Sequence, residues 1–532
     1  MAAANDTRQD TRIALGIGLL IGLLSFLWFF GIDRALGTDP AYRWPAGDQA
    51  QHIAGAYAYL DGAWSFPLFN TDRINAPQGV NIIFTDSAPF AGFLAKIVHS
   101  LTGMRFNYLG TWFAVLWIGQ AAAGAYLMRQ LGPRHPVFYA CGAVFALAWP
   151  AFLNRHFHLA LGSHFLLLFA IGLYFPTARE HFSWRRAVVW GLLLGIAIWT
   201  HFYLFLMSFA VFVAAHGDAV IRRTMNWRQA VAAMTGVLAW CLGLALIGGY
   251  QTVGSINAMG YGAFRLDLLA YVWPHGSQVL QAPVIFDPQS AFEGFNYIGL
   301  GGIVIIVAAL VLLRKRQFAT LGGHPLLILC TLGMLAFAIT NVISIGGKQV
   351  AYIPFATDRF PFSTFRASGR FGWPFGYLVV FAGMTVLLSM FWERSRKIAF
   401  LTAILLAGLQ FADGMLLLRG MQEGWRAAAK PIAETVIQSS TSVHFAPPID
   451  CLPNGPVQMA AIEVLAIAAR AGKPTDSAHI ARTENSGCDA QPQPVAAGSV
   501  IVVAPQTEAA TFYGASMSCQ EESGLLLCGA TP

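Results

Sequence analysis

The sequence predicts a mainly α-helical, polytopic membrane protein with about eleven transmembrane helices and a small α/β domain at its C-terminal end. Three observations predict this fold class. Hydrophobic residues make up 56% of the 532 residues, charged residues make up 11%, and the mean hydropathy is +0.56, values that lie outside the range of soluble domains. Apolar stretches of membrane length recur along the first four-fifths of the chain. The last part of the chain returns to ordinary polarity.

Eleven apolar stretches are candidates to cross the hydrocarbon core. They are 12–32, 107–128, 137–153, 164–178, 187–202, 203–217, 229–249, 297–313, 324–343, 371–391 and 398–418. If the N-terminus is cytoplasmic, every inner loop carries arginine or lysine, as the positive-inside rule requires. The net charge of +7 is then explained by topology, and no nucleic-acid partner is expected.

The first stretch reads as a retained anchor. It follows a short polar N-terminus and continues past Gly31 without a small-residue cleavage pattern, so we expect the mature chain to begin near Met1. The same arrangement places five polar stretches outside the membrane. These are 33–106, 154–163, 250–296, 344–370 and everything after about residue 420. Stretch 88–104 is apolar but short and is expected to form a helix that lies in the outer interface.

Two domains are expected, a transmembrane domain over 1–420 and a periplasmic domain over 421–532. The second has a helical pattern at 459–471 and a short buried-strand pattern at 500–504. Four cysteines fall in it, which favours disulfides in an oxidising compartment. Among the three possible connectivities we expect Cys519 with Cys528 and Cys451 with Cys488; a zinc site is the alternative, although no CxxC spacing supports it.

The first outer stretch carries the most informative polar residues, in the run GDQAQHIAGAYAYL at 47–60. If this run is helical, Asp48 and His52 share a face with Gly55 and Tyr59. A carboxylate and an imidazole would then point to the same place, as a catalytic pair does. The alternative is that Asp48 and Gln51 form a capping box that satisfies free backbone N–H groups.

Asp86 lies further along the same stretch, in IIFTDSAP at 82–89. Its local pattern favours the N-cap of the interfacial helix. Because Asp48 and Asp86 occupy one outer stretch, however, they could also act together. Paired carboxylates can deprotonate a hydroxyl or hold a divalent cation.

Histidines and arginines are predicted at the same membrane face. His156, His158 and His164 surround one outer turn and His201 lies at the next; we expect them to hydrogen-bond a substrate, with metal binding as the alternative, since their spacing matches no standard ligand pattern.

Arg366 and Arg370 are four residues apart, with Arg359 nearby, which suits a phosphate held by a helical pair. The alternative is a set of arginines that anchor a helix to lipid headgroups. Three further residues, Arg265, Glu293 and Tyr297, complete the predicted polar set.

Four runs of the sequence carry a resemblance to a known superfamily. They are GDQAQHIAGAYAYL, NAPQGVNIIFTDSAP, EGFNYIGLG and FRASGRFGWPFGY. With the long first outer loop and the C-terminal domain, they resemble the GT-C superfamily of polyprenyl-phosphate-dependent glycosyltransferases, and within it an uncharacterised bacterial family of GT-C-like membrane proteins. The resemblance covers about residues 12 to 420.

The resemblance implies a sugar transfer in the bacterial inner membrane. A polyprenyl-phosphate sugar would be the donor, and a glycan or lipid of the cell envelope the acceptor. Asp48 matches the acidic residue that acts in the superfamily as catalytic base or, in oligosaccharyltransferases, as a metal ligand, and Arg366 and Arg370 would hold the donor phosphate. No cofactor is assigned, and a divalent cation is the one candidate. The chain lacks the adjacent Asp-Glu pair of protein mannosyltransferases and the WWDxG-type signature of oligosaccharyltransferases, which disfavours their acceptors. The alternatives are an enzyme similar to an O-antigen polymerase or ligase, which uses a diphosphate-linked oligosaccharide, and a transporter of lipid or glycan.

Overall fold

The structure is a computed structural model. It describes residues 2–39, 47–155, 158–251, 260–312, 323–423, 431–453, 455–480, 488, 491–505 and 507–529. Helices dominate the chain as far as Glu423. They are α1 (Ala2–Phe29), α2 (Gly31–Leu36), α3 (Asp48–Asp61), α4 (Pro89–Thr102), α5 (Tyr108–Leu131), α6 (Pro136–Leu147), α7 (Pro150–Leu153), α8 (Phe165–Arg179), α9 (Trp184–Thr200), α10 (Phe202–Ile221), α11 (Trp227–Gly248), α12 (Pro288–Glu293), α13 (Leu300–Leu312), α14 (Pro325–Ile339), α15 (Trp373–Arg394) and α16 (Arg396–Glu423).

Local signals in the sequence fix several helix ends. Asn226 and Gln229 form a capping box at the start of α11, in which each side chain accepts a hydrogen bond from the other's backbone N–H. Pro136 and Pro325 occupy the first positions of α6 and α14, where the missing N–H of proline costs no helical hydrogen bond. Two antiparallel strand pairs lie among the helices, β1 (Asn70–Thr71) with β2 (Val80–Asn81) and β3 (Val342–Ile345) with β4 (Lys348–Tyr352).

Six helices in the described part of the chain are long and apolar enough to cross a membrane. They are Arg8–Phe29, Tyr108–Leu131, Phe202–Ile221, Trp227–Gly248, Ser368–Arg394 and Arg396–Gln422. Four shorter apolar helices coincide with further predicted spans, and α9 with the remaining one. The predicted fold class, a mainly helical membrane protein with a small C-terminal sheet, is confirmed. The count of eleven crossings and the orientation of the termini stay predictions.

Helix α5 lies at the centre of the bundle. It packs against α1, α6 and α8. Of its most apolar 18-residue segment, 67% is buried by protein, compared with 22% for that of α1 and 28% for that of α11. The mostly unburied helices present their apolar side chains outward, as expected for helices that face lipid.

The last part of the chain forms a mixed sheet with three helices. Strands β5 (Val443–Ala446), β6 (Val500–Val503), β7 (Ser518–Glu522) and β8 (Leu525–Gly529) lie in the order β5-β6-β8-β7, with β5 and β6 parallel and the other pairs antiparallel. The helices are α17 (Pro431–Ser439), α18 (Pro456–Arg470) and α19 (Glu508–Ser516). The predicted helix and strand coincide with α18 and β6. The division into domains at about residue 420 stays a prediction.

Both predicted disulfides are present. Cys451 is bonded to Cys488, and Cys519 is bonded to Cys528 across the β7–β8 hairpin. The alternative of a zinc site at these cysteines is therefore wrong, because a cysteine in a disulfide has no thiolate to offer a metal.

The two disulfides should contribute unequally to stability. They close segments with sequence separations of 37 and 9 residues, for which the chain-entropy relation gives about 4 and about 3 kcal/mol. We expect the variant Cys451→Ser with Cys488→Ser to unfold at a lower temperature than Cys519→Ser with Cys528→Ser. Thermal unfolding of the purified variants in detergent measures the difference. Equal melting temperatures, or a larger loss for the hairpin pair, would contradict this order.

The C-terminal domain packs directly on the first outer stretch. Helix α18 lies against α3. Arg105 binds both carboxylate oxygens of Asp61 at 2.7 Å and also donates to the carbonyl oxygen of Ala469 at 2.8 Å. Arg73 donates to the carbonyl oxygen of Gly472 at 2.6 Å. These contacts join the first outer stretch to the C-terminal part of the chain.

Candidate active site

Asp48 begins α3 but does not cap it. The N-cap is Gly47, with φ +56, and no side chain makes the capping hydrogen bond. Gln51 instead donates from Nε2 to the carbonyl oxygen of Phe84 at 3.1 Å. The capping-box interpretation is therefore wrong. The Oδ2 atom of Asp48 lies 3.1 Å from Nε2 of His158, so the carboxylate points toward a partner outside its own helix.

His52 lies one turn further along α3, on the same face, as the sequence predicts. Its ring centroid is 5.0 Å from that of His158, in an edge-to-face arrangement. The close approach of the segment 85–87 to this helix requires a glycine, because a Cβ on Gly55 would lie 2.1 Å from Oγ1 of Thr85. Ser87 of the same segment donates from Oγ to the carbonyl oxygen of His52 at 2.8 Å. This packing holds Asp86 beside α3.

Asp86 also has no capping role. The N-cap of α4 is Ala88, without a side-chain hydrogen bond. Asp86 has φ +51, a backbone conformation that costs about 1–3 kcal/mol in residues other than glycine and is concentrated at functional sites. Its Oδ2 lies 3.7 Å from Nδ1 of His158, and its Oδ1 lies 3.8 Å from Nε2 of His201.

These five residues form what we call the acid–histidine cluster: Asp48, His52, Asp86, His158 and His201. His158 stands between the two carboxylates. The side chain of Asp48 is 46% exposed, whereas those of Asp86, His158 and His201 are 25%, 14% and 8% exposed. Asp48 is thus the member of the cluster that an incoming molecule can reach first.

The members of the acid–histidine cluster lie outside the membrane-spanning segments, and their charges shift one another's pKa values. Burial raises the pKa of Asp48, but the hydrogen bond and charge of His158 outweigh it and hold the pKa well below its ordinary value. Burial lowers the pKa of His158, whereas Asp48 raises it with a larger combined effect, so the net shift is upward. Burial lowers the pKa of His52 to about 3, which keeps that ring neutral.

Arg155, Glu293 and Arg370 form a second group of charged side chains near the cluster, which we call the arginine–glutamate network. The carboxylate of Glu293 accepts hydrogen bonds from Nε and Nη2 of Arg370 at 2.8 and 2.5 Å. Nη1 of Arg155 lies 3.1 Å from Oε2 of the same carboxylate. All three side chains are at most 9% exposed. Burial raises the pKa of Glu293, but the two guanidinium charges hold it well below the ordinary value. The network therefore carries one net positive charge in a buried place.

The structure corrects the predicted arginine pair. Arg366 and Arg370 do not share a helical face, because Arg366 precedes a 3₁₀ turn, Ser368–Gly372, that contains Arg370. The guanidinium of Arg366 lies over the ring of Phe264, 5.6 Å from its centroid. The guanidinium of Arg370 is paired with the carboxylate of Glu293. Arg359 is exposed and has no contact with the cluster among the described residues.

Three other predicted substrate residues lie elsewhere. His164 is fully buried and its Nδ1 is 3.0 Å from the hydroxyl of Tyr377. Arg265 binds Asp287 at 3.0 Å. Tyr297 is fully buried and donates to Asp413 at 2.8 Å. Tyr377 lies in α15 and Asp413 in α16, and none of the three predicted residues has a contact with the acid–histidine cluster among the described residues. His156 lies outside the described residues.

Sequence reasoning missed three contributors. Arg155 lies in the same outer turn as His158, and its charge beside the histidines was the available signal. Tyr203 places its ring under Arg370, 4.9 Å from the guanidinium carbon. His479, from the C-terminal domain, is close enough for its charge to lower the pKa of Asp48, and only long-range packing brings it there.

Comparison with known proteins gives a family. No curated protein matches the chain. Among solved structures it is similar to the crystal structure of ArnT from Cupriavidus metallidurans bound to undecaprenyl phosphate, with 11% identity, coverage of 97% of this chain and 98% of that chain, and a TM-score of 0.45. Similarity of this extent assigns neither a reaction nor a site residue. The family described as "Domain of unknown function (DUF6311)" matches residues 19–415, and the "DUF6311 C-terminal domain" matches residues 432–530. The chain therefore belongs to the DUF6311 family.

Proposed function

We propose that this chain is a GT-C-type glycosyltransferase of the bacterial inner membrane, which transfers a sugar from a polyprenyl phosphate to a glycan or lipid acceptor on the periplasmic side. The observation that carries the proposal is the half-exposed carboxylate of Asp48 at the edge of a buried acid–histidine cluster. A helical membrane protein has little reason to gather two carboxylates and three histidines unless they act on a ligand, since buried ionisable groups are costly.

In the proposed reaction Asp48 acts as the general base. Its carboxylate takes the proton of the acceptor hydroxyl, and the hydroxyl oxygen forms a bond to the anomeric carbon. The bond between that carbon and the phosphate oxygen breaks at the same time, and its electron pair leaves with the polyprenyl phosphate. Attack opposite to the leaving group inverts the anomeric configuration. His158 orients the carboxylate through its 3.1 Å contact, which is the role of a positioned partner in general base catalysis.

Arg366 is the arginine best suited to the donor phosphate. Arg370 uses Nε and Nη2 on Glu293, so those donors are not available to a ligand. Arg366 is partly exposed and, among the described residues, is paired with no carboxylate. A guanidinium can donate two parallel hydrogen bonds to phosphate.

Replacing Arg366 by glutamine should weaken donor binding more than it slows the chemical step. A hydrogen bond to a charged group is worth about 1.5–3 kcal/mol, so we expect KM for the donor to rise roughly tenfold to hundredfold. The exposed Lys348, in the same outer stretch, supplies a matched control as Lys348→Gln, which should leave KM unchanged. An unchanged KM for Arg366→Gln would remove this residue from the donor site.

The transfer reaction itself can be tested with purified protein in lipid. A panel of radiolabelled polyprenyl-phosphate monosaccharides is supplied with acceptor fractions from a bacterial envelope, and release or transfer of sugar is measured. We expect turnover of one donor class with inversion at the anomeric carbon. Turnover only of diphosphate-linked oligosaccharides would favour an enzyme similar to an O-antigen polymerase or ligase. Movement of labelled lipid across the bilayer without cleavage would favour a transporter.

A further inference from the structure

Three side chains of the acid–histidine cluster converge as metal ligands do. One ligand atom from each of His52, Asp86 and His158 lies within 4.8 Å of the other two. Zinc holds nitrogen and oxygen ligands at about 2.0–2.2 Å in a tetrahedron, which sets ligand atoms roughly 3.4 Å apart. The distance from Nδ1 of His158 to Oδ2 of Asp86 is already 3.7 Å. The ligand atoms, which are at most 4.8 Å apart, would move closer together on binding an ion.

Two ring nitrogens in this place are buried without a hydrogen-bond partner among the described residues. They are Nε2 of His52, whose residue is 1% exposed, and Nδ1 of His158. A buried polar atom left unsatisfied costs about 1–3 kcal/mol, so each such atom in a folded protein calls for an explanation, for which a bound ion is one candidate. A metal ion would satisfy both atoms by accepting their lone pairs.

Asp48 has the place of a supporting carboxylate in such a site. A histidine that binds metal through one ring nitrogen usually donates its other N–H to a carboxylate, which fixes the tautomer and the ring orientation. His158 offers Nδ1 to the cluster while its Nε2 lies 3.1 Å from Oδ2 of Asp48. In the metal-bound state that contact keeps the remaining proton on Nε2 and leaves the lone pair of Nδ1 for the ion.

We propose that His52 Nε2, His158 Nδ1 and the Asp86 carboxylate bind one divalent transition-metal ion of the zinc class, with a coordination position left for a substrate oxygen. Two imidazoles with one carboxylate suit zinc and its neighbours better than magnesium or calcium, which favour all-oxygen ligand sets. Three protein ligands leave zinc with an open position, as in catalytic sites. The site stands on the side-chain geometry and does not depend on the proposed sugar transfer.

Metal content of the untagged full-length protein tests the proposal. Protein purified in detergent is stripped with a chelator, dialysed against Zn²⁺ and analysed by elemental mass spectrometry, and Co²⁺ loading is followed by visible absorption. We expect about one ion per chain and the intense d–d bands of a four-coordinate Co²⁺ site. His52→Ala and Asp86→Asn should each lose that ion. His99→Ala, a change in the same outer stretch at a half-buried ring that contacts the carbonyl oxygen of Met104, should keep it.

The variant Asp48→Asn tests whether Asp48 supports a metal ligand or is itself a metal ligand. It should still bind one ion at saturation, with an affinity lowered about 10- to 100-fold. Melting temperatures distinguish lost ligands from lost folding, and Asp86→Asn keeps the shape of its side chain if His52→Ala fails to fold. Wild-type protein that takes up no zinc or cobalt, or that keeps its full content in His52→Ala and Asp86→Asn, would overturn the proposal. Sugar transfer that persists in metal-free protein would leave the proposed function intact.

Discussion

Asp48→Asn should lower the rate of sugar transfer by about 10²- to 10⁴-fold, which is the usual contribution of a general base. Asparagine keeps the size of the side chain and can still accept a hydrogen bond from His158, so the geometry of α3 and the cluster should persist. It cannot accept the proton of the acceptor hydroxyl. We therefore expect kcat to fall while KM for the donor changes little, measured with donor and acceptor both in excess.

Asp72→Asn is the matched control for this change. Asp72 lies in the same outer stretch and is exposed, so the same loss of charge there should leave transfer unchanged. Each variant is assayed with and without added Zn²⁺, because Asp48 is also expected to support metal binding. A rate for Asp48→Asn close to that of the wild type, at saturating Zn²⁺, would exclude Asp48 as the base.

Features that depend on local sequence were predicted well. Each predicted span coincides with a helix because hydropathy is a property of a continuous stretch. The shared face of Asp48 and His52 follows from helical periodicity alone. The disulfides followed from four cysteines in a segment that is predicted to lie outside the membrane, with one pair suited to a hairpin.

Features that depend on partners far along the chain were not predicted. The capping alternative for Asp48 arose because its helix start is visible in the sequence, whereas its partner His158 comes from a distant loop. Arg370 looked like half of a phosphate-binding pair because the spacing of four suggests a helix, but the local structure is a 3₁₀ turn. Its partner Glu293 lies 77 residues away. Sequence spacing cannot show which of several distant charges will neutralise an arginine.

Glu293→Gln should be among the most destabilising single substitutions in the outer loops. It leaves the guanidinium groups of Arg155 and Arg370 buried without their shared carboxylate, and their mutual repulsion is then uncompensated. Removing one partner of a buried ion pair typically costs about 3–5 kcal/mol. We expect a loss of this size in the free energy of unfolding, measured by reversible denaturation in mixed micelles of detergent and SDS.

Glu180→Gln provides the comparison that isolates burial. Glu180 also pairs with an arginine, Arg186, at 2.5 Å, but its side chain is 53% exposed. Exposed ion pairs contribute about 0–1 kcal/mol because water screens them and the side chains lose entropy. The same chemical change should therefore have little effect there. If both variants were equally stable, the arginine–glutamate network would not hold the outer loops together, and Arg370 would have to be considered again as a ligand for the donor phosphate.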